Sequence, residues 1–181
     1  MRDLSLHILD LAQNSVRAEA TLVEISVSAD EKKWITISIR DDGKGMDETL
    51  KNSVLSPFAT TRTTRKVGLG LPLMKMEAQM SGGDLTIESE VGVGTTVTTW
   101  FDPNNIDMPP LGDLVSSIIT LIQGSPEIDF VFTHRRFGEE YTLDTGEIRL
   151  IMGDISLSEP EVLSWLSDFL NENESTMKGS V

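Results

Sequence analysis

Asp41-Asp42-Gly43-Lys44-Gly45-Met46 closes an alternating apolar run, Trp34, Ile35, Ile37 and Ile39, whose pattern predicts a strand ending at the first aspartate. The two glycines after it allow the backbone to take positive φ or to lie flat against a ligand. An aspartate at a strand end beside such a turn can accept a hydrogen bond from an exocyclic amine. That contact reads adenine by its edge and not by its phosphates. Alone, an Asp-Gly pair is an ordinary turn, so the neighbouring segments decide between the two readings.

Upstream, residues 4–18 place Leu4, Ile8, Leu11 and Ser15 or Val16 on one stripe at helical spacing. His7, Asp10, Asn14 and Arg17 fall on another face of the same helix. Residues 21–29 and 33–40 then read as a hairpin of two strands. Downstream, Asp47 starts a short helix over 47–55, and the Thr-rich segment 56–67, which has no periodicity, is expected to be a mobile loop. Gly68-Leu69-Gly70-Leu71-Pro72 opens a further helix to about Met80, with Pro72 in its first turn and Ser81-Gly82-Gly83 at its end. Residues 84–91 and 94–101 form a second hairpin around Gly92-Val93-Gly94.

Gly68-Leu69-Gly70 directly before a helix offers backbone N–H groups and the positive end of the dipole to an anion. The chain holds neither a Gly-x-x-x-x-Gly-Lys-Ser/Thr loop nor a dinucleotide fingerprint. Asn14 brings an amide oxygen of the kind that suits Mg²⁺ alongside phosphate oxygens and waters. Asp10, one turn earlier on the same face, can orient a water or accept a proton.

In this order and spacing the parts resemble the GHKL ATPases: histidine kinases, anti-sigma serine kinases, type II topoisomerases, and certain chaperones and mismatch-repair proteins. The matching boxes are Asp10 to Ala18, Asp41 to Met46, Pro57-Phe58-Ala59-Thr60-Thr61, Gly68-Leu69-Gly70-Leu71 and Gly92-Val93-Gly94-Thr95. The resemblance implies the Bergerat nucleotide-binding fold, a two-layer α/β sandwich with helices on one face of a mixed sheet, and ATP with Mg²⁺ as its ligands. It implies that Asn14 ligates Mg²⁺, that Arg17 lies near the phosphates and that Asp41 reads adenine, with Gly43, Gly45 and Met46 shaping the pocket. Residues 57–67 then form an ATP lid that contributes Phe58, Thr60, Thr61 and Arg62. Gly68, Leu69, Gly70 and Leu71 make the triphosphate-binding turn, Thr95 supports the pocket wall, and Asp10 is the candidate catalytic residue. Arg62, Arg65 and Lys66 are equally well read as groups that neutralise phosphate charge or as solvated loop charges. Three positions depart from the family pattern. Asp10 stands where Glu is usual, Lys66-Val67 replace a glycine and a small residue, and Pro72 stands where kinases often have Ser.

Asp102-Pro103-Asn104-Asn105 and Pro109-Pro110 mark an expected boundary. It divides an ATP-binding domain, 1–103, from a small α+β extension, 104–172, with a disordered polar tail over 173–181. The extension reads as a helix at 111–123, a hairpin of 128–133 with 139–143, a helical segment at 145–152 and a last helix at 158–171. The hairpin is expected to dock on the core and cover its exposed sheet edge. Of the net charge of −14, the residues from 104 onwards hold fourteen of the 29 acidic groups and four of the 15 basic ones. That balance argues against nucleic acid. It suits either plain solubility or a docking surface for a basic protein partner.

There is no cysteine, no signal-peptide core and no run of about 18 apolar residues, so a cytoplasmic protein without a membrane span is expected. The first of the matching boxes, Asp10 to Ala18 around Asn14, lies almost at Met1, so no helical hairpin with a phosphoacceptor histidine is expected ahead of it. His7 reads as a structural or pocket residue, and His134 is placed at a hairpin turn. The expected function is an ATP- and Mg²⁺-binding regulatory protein that phosphorylates or regulates a protein partner. The alternative is an ATP-gated binding module or slow ATPase. Homo-oligomerisation is left open.

Overall fold

Helix α1 (Leu4–Arg17) buries one face, and its sequence explains which. Leu4, Ile8, Leu11, Ala12 and Ser15 recur at helical spacing and are all buried, while Asp3 caps the first turn by accepting from Leu6 N at 3.0 Å. The computed structural model describes residues 3–29, 34–56 and 69–178. After α1 come β1 (Leu22–Ala29), β2 (Ile35–Asp41), α2 (Glu48–Val54), α3 (Gly70–Met80), β3 (Asp84–Glu90) and β4 (Gly94–Phe101). The chain continues through α4 (Leu114–Gly124), β5 (Asp129–Arg136), β6 (Glu139–Asp144), α5 (Thr145–Met152) and α6 (Pro160–Lys178).

The strands form one six-stranded sheet in the order β3-β4-β2-β1-β5-β6. All its pairs are antiparallel except β1 with β5. Alternate residues such as Val23, Ile25, Val27, Ile37 and Ile39 are buried, and those between them, Ser26, Ser38 and Arg40, are half-buried or exposed. Helices α1 and α3 pack against the strands, α4 packs on α1, and α6 packs on α4. The result is a mixed α/β sandwich of two layers. Phe101, Phe130 and Phe132 are fully buried, each contributing roughly 2–3 kcal/mol by the area it removes from water.

The hairpin over 128–144 does cover the sheet edge, by parallel pairing from Leu22↔Asp129 to Ala29↔Arg136. A parallel partner needs a crossover, and α4 supplies it. The segment before α4 is also tied back, because Leu4 N and Ser5 N donate to Pro110 O and Leu111 O at 2.9 Å each. One cluster of buried side chains runs from Leu4 to Met177.

Three sequence expectations are corrected. The polar tail expected over 173–181 is helical as far as Lys178, because Glu174 finds buried partners and Met177 is buried. His134 is not at a turn: β5 runs on to Arg136, and the reversal uses Phe137 and Gly138 at φ 53° and 79°. Helix α4 starts at Leu114 and not at 111, because Asp113 caps it by accepting from Ser116 N at 3.0 Å. Among the described residues, no helix is long and apolar enough to cross a membrane.

Candidate functional site

At one end of the sheet, α1, the end of β2 and the start of β4 enclose a pocket of about 210 Å³. Leu11, Asn14 and Ser15 line it from α1 and Ala18 from the C-cap of that helix, Ile39 and Asp41 from β2, and Thr95 and Val97 from β4. Gly45, Met46, Leu50, Val54 and Leu71 complete the wall. Apolar walls with a few converging polar groups suit a flat heterocycle.

Asp41 is the principal polar group. Its Oδ2 accepts from Ser15 Oγ at 2.6 Å and its Oδ1 from Gly43 N at 2.9 Å, so both oxygens are fixed before any ligand arrives. The following residues are pinned as firmly. Lys44 N donates to Ala18 O at 2.9 Å, Gly92 N to Lys44 O at 2.8 Å, and Met46 N to Ser89 Oγ at 2.8 Å. Ser89 Oγ also lies 2.8 Å from Thr95 Oγ1, which joins the pocket floor to the β3–β4 turn. Gly45 has φ +68°, and a Cβ there would sit 1.9 Å from Glu90 O. Gly94 has φ +140°, and a Cβ there would meet Asp41 O at 2.0 Å. Both positions therefore admit glycine alone.

Asp42 turns the other way. It accepts from Thr21 N at 2.8 Å, Thr21 Oγ1 at 2.5 Å and Leu22 N at 2.9 Å. The Thr21 hydroxyl, followed by the two backbone donors, holds its carboxyl below the ordinary aspartate value. On Asp42's side a wider groove is lined by Glu24, Arg40, Glu88 and Glu90. With Asp41 and Asp42 it gathers five acidic residues against one guanidinium, a setting that repels a triphosphate.

Asn14 lines the pocket, and its Oδ1 accepts from Arg17 Nη1 at 2.9 Å, so Arg17 is held to the pocket through Asn14. Asp10 is half-buried one turn earlier, and its Cβ lies 3.6 Å from where a Cβ on Gly70 would stand. It thus abuts the start of α3, where Leu69 occupies the N-cap position and has no side-chain acceptor to offer. His7, buried on α1, places Nε2 2.7 Å from Glu77 Oε2 and so links α1 to α3 away from the pocket lining.

Of the residues singled out in the sequence, Asn14, Asp41, Gly45, Met46, Leu71 and Thr95 line the pocket. Gly43 binds Asp41 from behind, Arg17 and Asp10 lie beside Asn14 on α1, and Leu69 and Gly70 start α3. Phe58, Thr60, Thr61, Arg62 and Gly68, with the rest of the expected lid, lie outside the described residues. Ser15 and Ser89 were not singled out as site residues. Ser15 did carry a signal: a hydroxyl within an apolar stripe has to find a buried partner. Nothing local in the sequence marks Ser89.

Residues 2–105 match the family model for histidine kinase-, DNA gyrase B-, and HSP90-like ATPases, which is more than half of the chain. The chain belongs to this ATPase family. It is 31% identical over 106 residues to the sensor histidine kinase ZraS of Escherichia coli strain K12, covering 58% of this chain and 23% of that kinase. It is 38% identical over 93 residues to sporulation kinase D of Bacillus subtilis strain 168, covering 50% of this chain and 18% of that kinase. The match thus takes in less than a quarter of either relative. The N-terminal domain of a DNA repair protein shares the fold at a TM-score of 0.51 and 16% identity, over 80% of this chain and 53% of the other.

Proposed function

We propose that this ATPase-family chain binds ATP with Mg²⁺ and acts on a protein partner, by phosphorylating it or by regulating it. The observation that carries the reading is Asp41, a carboxylate fixed by Ser15 and Gly43 at the wall of an apolar pocket. Such a group would accept from the exocyclic amine of adenine, with Ile39, Leu71 and Val97 among the apolar walls available to the ring faces. Asn14 Oδ1 keeps a lone pair beyond its bond to Arg17 and is the residue that would hold Mg²⁺. Among the described residues no three His, Asp or Glu converge on one point, so the remaining ligands would be phosphate oxygens and waters. Arg17, bonded to Asn14, and the N-terminus of α3, whose Leu71 lines the pocket, would position the phosphates. Bound Mg²⁺ and ATP would supply the transferable phosphoryl group.

The test is incubation of the protein with Mg²⁺ and γ-labelled ATP, alone and with lysate of its own cells, beside Asp41→Asn. Label on a second protein, absent with the variant, supports a protein kinase. A second reading, an ATP-gated binding module or slow ATPase, is favoured by Asp10, one methylene shorter than the usual Glu and set against the start of α3. Nucleotide retained by the wild type without transfer supports that reading. Failure of the wild type to bind nucleotide overturns both.

A further inference from the structure

The C-terminal helices carry a second feature, which rests on its own geometry and not on the nucleotide site. Leu150 and Ile151, at the end of α5, are 86% and 84% exposed, and Ile155 and Trp165 remain 52% and 51% exposed. Between α5 and α6 these elements form a groove whose apolar lining is Met152, Ile155, Pro160, Val162 and Trp165. Its polar lining includes three carboxylates, Asp154, Glu159 and Glu161. The one basic residue from 137 to 177, Arg149, is engaged elsewhere: it donates to Asp129 Oδ1 at 3.1 Å and to Ile128 O at 3.2 Å. Trp165 is a braced side chain, stacked on Phe169 with ring centroids 6.0 Å apart, and Phe169 in turn meets Tyr141 edge-on. A partly exposed aromatic held in one orientation loses little entropy when a partner covers it.

We infer that this groove is a docking site for a basic amphipathic helix of a partner protein. Charge selects the occupant. An apolar floor asks for apolar anchors on one helical face, and three carboxylates with no free cation among them ask for Lys or Arg beside those anchors. A second copy of this chain, with its net charge of −14, is repelled from the same surface.

The probe is a fluorescein-labelled, 18-residue peptide of Leu and Lys in amphipathic helical spacing, titrated with the full chain by fluorescence anisotropy. Its counterpart has every Lys replaced by Glu. The Leu/Lys peptide is expected to bind at least tenfold more tightly than the Leu/Glu one, and to weaken as salt rises from about 50 to 300 mM. Trp165→Ala and Ile155→Ser, which leave every charge in place, are each expected to weaken it at least fivefold. Circular dichroism melts report their folding, and the exposed Ile155→Ser decides alone if Trp165→Ala disturbs α6. Equal binding by both peptides overturns the inference, as does parental affinity in a folded Ile155→Ser. A dimer in sedimentation that Ile155→Ser abolishes overturns it too, by showing a second copy in the groove.

Discussion

Asp41 turns its carboxylate inward to Ser15 and Gly43, whereas Asp42, one residue on, turns outward to Thr21 and Leu22. The alternation of a strand separates the two by face, and their chemistry follows. Ser15→Ala removes a donor that orients Asp41. It should weaken ADP binding about tenfold in calorimetry, the equivalent of one oriented hydrogen bond of about 1.4 kcal/mol. Asp42 predicts a pH effect. Its folded value lies below the ordinary aspartate value of 3.8, so its stabilising contribution is full above that value and is lost as the pH falls through the folded value. Because the group is exposed, the effect is modest, about 1 kcal/mol or less. Urea titrations at pH 5 and pH 2.5 should show Asp42→Asn less stable than wild type at the first and level with it at the second.

Among the elements, α6 shows most clearly how a polar sequence acquires structure from its partners. Past Asn171 the chain reads Glu172-Asn173-Glu174-Ser175-Thr176, with no apolar stripe of its own. The helix persists because Glu174 Oε1 accepts from Tyr141 Oη at 2.6 Å and lies 2.6 Å from His134 Nδ1. Burial, and after it the bond to Glu174, push the Tyr141 hydroxyl well above its usual value, so it remains a donor throughout the pH range in which the protein is handled. Removing the acceptor strands two buried donors. Glu174→Ala should lower stability by about 3 kcal/mol in urea unfolding, and Glu174→Gln, which keeps an acceptor, by about 1 kcal/mol.

For the molecule as a whole, the joint between the family-matched part and the rest is a pair of parallel strands. Without residues 104–181, β1 loses β5, α1 loses α4, and the burial of Ile118, Ile122, Phe130 and Phe132 is lost. At roughly 2 kcal/mol for each such side chain, the loss is comparable with the 5–15 kcal/mol, in order of magnitude, that stabilises an ordinary domain. The bare β1 edge would also recruit other strands. A fragment of residues 1–103 is therefore expected to aggregate or unfold, with collapsed dispersion in its amide NMR spectrum. A well-dispersed monomer would make the C-terminal part an appendage.

The sequence by itself determined whatever depends on short spacing. The helical face that carries Asp10, Asn14 and Arg17 was legible there, as were the strand that delivers Asp41 and the glycines that close the pocket, because each obeys a local period or a local steric demand. Tertiary structure alone decided that Ser15 serves Asp41, that Ser89 braces Met46 and Thr95, and that the later hairpin runs parallel to β1. It also decided that His134 lies inside a strand and that the polar end of the chain is helical. Each of these turns on a partner distant in sequence. A buried hydroxyl, carboxylate or strand edge states that it needs a partner, and only the folded chain supplies which one.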